Sequence, residues 1–181
     1  MATASSRWPS APDRAATLKL ALMSLEVIIG NHQDAIDVPE CWLTALESIA
    51  YEAARLALEN AAEDDSPLSN LATLEVAIVD DITSDQVHRD FMDIEGPTDV
   101  ITFHHGEIVI GAEVAVRQAA EYGEPLAREI LRYMIHGLLH LAGHEDGQSD
   151  ERAVMEAAQE TIVTLLWTSE LRERLNPDFL K

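Results

Sequence analysis

Ile135-His136-Gly137-Leu138-Leu139-His140-Leu141-Ala142-Gly143-His144-Glu145-Asp146 is the stretch whose reading decides the fold. The apolar run from Ile130 to Leu141 has the length and spacing of a helix. Residues four apart on a helix lie on one face, so His136 and His140 point the same way, as two imidazoles sharing one ion must. Gly143 can take the left-handed conformation that ends a helix. The chain can then fold back and deliver a third side chain from His144, Glu145 or Asp146. On a continuous helix His144 would lie about 12 Å along the axis from His136, too far to share an ion. Asp146 is favoured, because His, three residues, His, two residues, Gly, two residues, Asp is the layout in which a glycine turn presents the last zinc ligand.

Two neutral imidazoles and a carboxylate leave one position open for water, as in a catalytic zinc site. In the protease form of this layout the general base is a Glu directly after the first His. Here that position is Gly137, which argues against a protease and places any base elsewhere in the fold or in the substrate. A bare pair of histidines on a buried amphipathic helix reads first as two satisfied core residues. The glycine turn followed by an aspartate moves the reading towards metal.

Pro125 is expected to start this helix, and Gly111 to Tyr122, closed near Gly123, to form the one before it. Asp99–Phe103 and Glu107–Ile110 read as two short strands paired across His104-His105-Gly106, after a turn at Gly96-Pro97-Thr98-Asp99. Upstream lie a polar helical segment from Thr83 to Met92, a strand from Thr73 to Val79, and a helix opened by Pro39 and periodic from Trp42 to Ala62. A first strand spans Leu22 to Gly30, with Leu25, Val27 and Ile29 on one face. Downstream, Ser149 is expected to cap a last helix running to about Leu171, ended by Asn176-Pro177. The order predicts an α+β domain: a mixed four-stranded sheet with surrounding helices, and the metal site on a central helix ended by a Gly turn. Residues 1–18 are expected to be a flexible N-terminal tail, residues 19–175 a single domain and residues 176–181 a C-terminal tail.

The 181 residues are 47% hydrophobic, enough for a proper core and too apolar for a disordered chain. No apolar run of about 18 residues predicts a membrane span. Met1 to Ala16 carries Ser, Pro and two Arg but lacks the apolar core of a secretory signal. One cysteine, Cys41, excludes an intrachain disulfide and fits a reducing compartment, so a cytoplasmic location is expected. The formal net charge of −21 repels nucleic acid at long range, so a nucleic-acid partner needs a local cationic site or another protein's help.

Three stretches together resemble the YbeY family, metal-dependent single-strand endoribonucleases of ribosomal RNA maturation and ribosome quality control. Val76-Ala77-Ile78-Val79-Asp80-Asp81 is similar to the strand before the family's Leu-Asn-x-x-Tyr-Arg segment. Pro97-Thr98-Asp99-Val100-Ile101-Thr102-Phe103 and Gly106-Glu107-Ile108-Val109-Ile110 resemble its Pro-Thr-Asp-Val-Leu-Ser-Phe and Gly-Asp-Ile elements. His136-Gly137-Leu138-Leu139-His140-Leu141-Ala142-Gly143 matches His-Gly-x-Leu-His-Leu-x-Gly, and Met155 and Gln159 fall where the family's last helix has such residues. The likeness runs from about Leu25 to about Leu166.

The resemblance implies one zinc ion on His136, His140 and Asp146. It also implies ribosomal RNA precursors and the ribosome or its small subunit as partners, with no membrane or DNA role. Two departures stand out. The family's third ligand is usually a His, and here that position is Asp146. The family's arginine five residues before Pro-Thr-Asp is here Met92, with Phe91 for the preceding Tyr and His88 for the Asn. Methionine cannot hold a phosphate. Arg89, about one helical turn away, is the candidate catalytic replacement. Arg117, Arg128 and Arg132 are further cations, with Glu121, Glu124 and Glu129 near them in sequence. His104 and His105 read as turn residues, and Thr98 and Asp99 as the hydrogen-bonding wall of the cleft. Two rival readings are a metal hydrolase of a peptide or small ester, and a non-catalytic ribosome-associated factor with a structural metal, which Met92 favours.

Overall fold

The structure, a computed structural model, describes Leu22, residues 24–63 and residues 65–176. The expected N-terminal tail lies outside these residues, as does the C-terminal tail apart from Asn176. The chain runs β1 (Glu26–Asn31), α1 (Glu40–Glu59), a 3-10 turn at Pro67–Asn70, β2 (Thr73–Val79), α2 (Asp81–Met92), β3 (Val100–Phe103) and β4 (Glu107–Gly111). It continues with α3 (Ala112–Tyr122), α4 (Leu126–Leu141), α5 (Ser149–Leu166) and α6 (Ser169–Arg174). The sheet is mixed, in the order β1-β2-β4-β3. β1 pairs with β2 and β2 with β4 in parallel, and β3 returns antiparallel to β4.

Alternation along the central strands sorts the side chains onto two faces. Leu74, Val76 and Ile78 of β2 and Ile108 and Ile110 of β4 enter the main core, together with α1, α4 and α5. Ala77, Val79, Val109 and Ile101 face the other side, where Val87 of α2 covers them. α4 is the hub, touching α1, α3, α5, β3 and β4. Its Ile130, Leu131, Met134, Ile135, Leu138 and Leu139 are fully buried. Each contributes roughly 1.5–3 kcal/mol by leaving water, so the helix is held on most of its circumference.

The expected class and strand count agree with this architecture, and three boundaries need correcting. Leu22 is helical and β1 begins only at Glu26. The face formed by Leu25, Val27 and Ile29 is nonetheless the one packed on the core. Ser149 is the first residue of α5 rather than its cap. Gln148 takes that position in a reciprocal capping box with Glu151. The helix expected to reach Leu171 stops at Leu166, because the Thr168 side chain accepts the Leu171 N–H and starts α6. Trp42 Nε1 then donates to the Leu175 carbonyl at 2.6 Å, which ties the chain end to α1. No helix among the described residues is long and apolar enough to cross a membrane.

Candidate metal centre

Along α4 the residues that escape full burial between Arg128 and His140 recur every fourth position: Arg128, Arg132, His136 and His140. One stripe of the hub helix is therefore open, and its C-terminal half carries the two imidazoles. The helix stops as the glycine predicts. Gly143 adopts φ +89°, its N–H bonds the His140 carbonyl at 3.0 Å, and the His144 N–H bonds that of Leu139 at 3.0 Å. This paired closure is a Schellman motif, which needs a left-handed residue at the turn. The chain folds back, and the ligand atoms of His136, His140 and Asp146 come within 4.8 Å of one another.

Both imidazoles are fixed by their outer nitrogens. His140 Nδ1 lies 2.9 Å from the His144 carbonyl, which only accepts, so Nδ1 carries the proton. His136 Nδ1 lies 2.9 Å from Gln159 Oε1, whose amide nitrogen is turned to Glu160. Both Nε2 atoms then present lone pairs, and these face each other at 3.1 Å. Burial, and next to it the neighbouring His136, push the His140 pKa below its ordinary value, which favours the neutral imidazole. Two opposed lone pairs at this separation repel unless a cation lies between them. Two imidazoles on one zinc would stand about 3.3 Å apart, from bonds of about 2.0–2.1 Å in tetrahedral array. Asp146 Oδ2 adds a carboxylate 3.9 Å from His136 Nε2. The donor set, its spacing and its outer partners all fit a metal ion.

His144 does not share in this cluster. Its side chain is buried and its Nε2 donates to the Asn60 carbonyl at the end of α1, at 2.7 Å. Its main-chain carbonyl, not its ring, serves the site, by orienting His140.

The cluster sits in a cleft of about 610 Å³ lined also by His88, Met92, Thr98, Asp99, His104 and Arg152. Thr98 and Asp99, of the Gly96–Asp99 turn, form part of the wall, and α2 holds this turn at three points. Ser84 Oγ, buried, accepts the Thr98 N–H (3.0 Å) and donates to the Thr98 carbonyl (3.1 Å). Asp85 accepts the Gly96 N–H at 2.6 Å, which with the Arg89 guanidinium holds its carboxyl below the usual range. His88 Nδ1 meets the Gly96 carbonyl at 2.8 Å. Asp99 closes the turn by accepting the Thr98 hydroxyl and the Val100 N–H, the wall role read from its sequence. Ser84→Ala is expected to cost about 1–3 kcal/mol, since it removes two hydrogen bonds between a buried hydroxyl and the Thr98 main chain. Thermal melting of the variant, expected about 2–12 °C lower, checks this.

The arginines are distributed less simply than their spacing suggests. Arg89 is half exposed and paired with Asp85 at 2.9 Å, and it is not among the residues lining the cleft, whereas His88 and Met92 of the same helix are. Arg117 pairs with Asp81, Arg128 with Glu124, and Arg132 with Glu129 and Glu160. These four cations are spent on neighbouring carboxylates. Arg152, which sequence reasoning passed over, does line the cleft. Its signal was weak: a single basic residue six positions past Asp146, in the first turn of α5. His104 also reaches the cleft, while His105 stacks on Phe103 and pairs with Glu107.

Residues 40–166 match the family model described as Endoribonuclease YbeY. The chain is 33% identical over 135 residues to an endoribonuclease YbeY of Rhodopirellula baltica, covering 69% of this chain and 68% of that one. It is 32% identical over 158 residues to that of Moorella thermoacetica, covering 77% and 96%. The solution structure of TM1509 from Thermotoga maritima superposes with a TM-score of 0.54 at 22% identity, over 87% of this chain and 99% of that one. At that identity it speaks for the fold.

Proposed function

The chain belongs to the YbeY endoribonuclease family, and on that premise we propose that it is a zinc-dependent endoribonuclease of single-stranded RNA. Its place would be the 3′-end maturation of ribosomal RNA and ribosome quality control in the cytoplasm, with the ribosome or its small subunit as partner. The observation that carries the metal reading is the pair of Nε2 lone pairs 3.1 Å apart, with Asp146 beside them in an open cleft.

His136, His140 and Asp146 would hold the ion. When bound, it supplies Lewis-acid polarisation of a phosphodiester and an activated water. The protein's own residues do the rest. Gln159 and the His144 carbonyl lock the two tautomers and aim both Nε2 atoms into the cleft. The turn held by Ser84, Asp85 and His88 fixes the part of the wall formed by Thr98 and Asp99. Glu145 and Glu156 line the cleft and are the carboxylates from which a proton acceptor is drawn, since Gly137 offers none. Asp99, Glu145, Asp146 and Glu156 leave the cleft acidic against Arg152, the one arginine lining it among the described residues. A phosphate strand therefore needs the divalent charge before it can settle there.

The test is cleavage of a ribosomal RNA 3′-precursor fragment by the zinc-loaded protein, run beside a chelated sample and a His140→Ala protein prepared identically. Cleavage that disappears in both controls is the expected outcome, with a loss of at least about 1000-fold in His140→Ala. Cleavage no faster than the mutant's background, from folded and zinc-loaded protein, would sink the nuclease reading.

A further inference from the structure

We propose that Arg152 is the phosphate-holding cation of this cleft, taking over the task that Met92 cannot perform. The proposal rests on the nuclease reading above. Three observations carry it. Among the described residues Arg152 is the arginine that lines the cleft, as Met92 also does. Its guanidinium makes no ion pair among the described residues: Nε and Nη2 both donate to the Asp146 main-chain carbonyl, at 3.1 and 3.0 Å. One edge of the fork is thus anchored on the residue that would supply the third ligand, and the other edge, Nη1 with the second Nη2 proton, is left for two oxygens of one phosphate.

The third observation is where the residue stands. Arg152 follows directly on Glu151 of the capping box, in the first turn of α5. A cation there meets the positive end of the helix dipole, a placement unfavourable in itself. The nearby acids do not offset it by pairing. The other arginines considered for RNA, Arg89, Arg117, Arg128 and Arg132, are each held by a carboxylate. An arginine kept free of ion pairs in a chain of net charge −21, anchored through a carbonyl that leaves its charge intact, is placed to receive an anion. The anchor also sets its distance from the metal ligands, because the carbonyl it grips belongs to Asp146 itself.

The experiment uses the full-length zinc-loaded protein and its Arg152→Gln, Arg152→Lys, Arg89→Gln and Arg152→Gln/Met92→Arg variants. Three quantities are read: kcat/KM on the precursor fragment, binding of a 2′-O-methyl copy of it across a salt series, and zinc affinity against a chromophoric chelator. Arg152→Gln is expected to lower kcat/KM about 100-fold, the scale of removing one charge-stabilising donor. It should also flatten the slope of log affinity against log salt by about 0.7, one phosphate contact on a single strand. Zinc affinity is expected to stay within about threefold, a separation that a merely structural role in the Asp146 loop would not give. Arg152→Lys should fall between, having the charge without the fork. Met92→Arg in the Arg152→Gln background should recover at least tenfold of the loss.

Wild-type kcat/KM and salt slope in Arg152→Gln would overturn the proposal. So would a loss of cleavage matched by an equal loss of zinc, or a loss in Arg89→Gln alone. Should the wild-type protein bind the RNA without cleaving it, the nuclease reading falls, and the salt slope of Arg152→Gln still decides whether this arginine holds a phosphate.

Discussion

Gly137→Glu, the change that would complete the protease layout, is expected to leave the protein unfolded rather than proteolytic. Position 137 is one residue from His136, and on a helix that step turns a side chain about 100° away. Here that direction is the sheet. A Cβ on Gly137 would stand 2.7 Å from Ile108 Cγ2 and 2.8 Å from its Cδ1, and Ile108 is fully buried on β4. A methyl group already demands that Ile108 shift, at about 1–3 kcal/mol. A glutamate must in addition bury an unpaired carboxylate between α4 and β4, which costs about 3–5 kcal/mol more. The sum is comparable with the whole stability of a domain, about 5–15 kcal/mol. Gly137→Ala should fold with a melting temperature about 2–12 °C lower, and Gly137→Glu should show no cooperative melting and rapid proteolysis. A Gly137→Glu protein that melted like the parent would refute the packing argument. The missing base is therefore a consequence of how closely the helix lies on the sheet.

The histidine pair, the glycine stop and the returning aspartate were legible because each is a local rule: a four-residue repeat, a left-handed turn, a short reach. The β3–β4 hairpin was legible for the same reason. What escaped depends on contacts remote in sequence. Nothing near Leu22 announces that β1 waits until Glu26, because its register is set by pairing with β2, more than forty residues on. The break after Leu166 turned on Thr168 competing successfully for the Leu171 N–H. The arginines were the hardest. Spacing put Arg89 within a turn of the family's position, but Asp85, itself pinned by Gly96 across the cleft wall, holds it. Arg152 gained its place only once the chain past Gly143 had folded back.

Asp146→Ala and His144→Ala are expected to fail in opposite ways, and the contrast identifies the third ligand. Asp146 is half-buried at the cleft, with its Oδ2 3.9 Å from His136 Nε2. If His136, His140 and Asp146 hold the ion as proposed, removing this carboxylate should weaken zinc by at least about 100-fold, beyond the roughly 10–100-fold that outer partners cost. The fold should hardly notice, because the main-chain carbonyl that Arg152 grips remains. His144 is the reverse case. The residue is only 7% exposed, and its ring satisfies the Asn60 carbonyl where α1 ends. Truncating it leaves a cavity and an orphaned acceptor, about 2–4 kcal/mol together, or a melting temperature about 4–16 °C lower. Yet zinc should still bind one per chain, since His140 is oriented by the His144 carbonyl and not by its imidazole. Asp146→His, which restores the family's usual residue, should keep that stoichiometry. Zinc titration and thermal melting of the three variants read both axes at once. A His144→Ala protein that lost zinc while melting normally, with Asp146→Ala unaffected, would reverse the assignment. It would mean that the imidazole leaves Asn60 when the ion arrives.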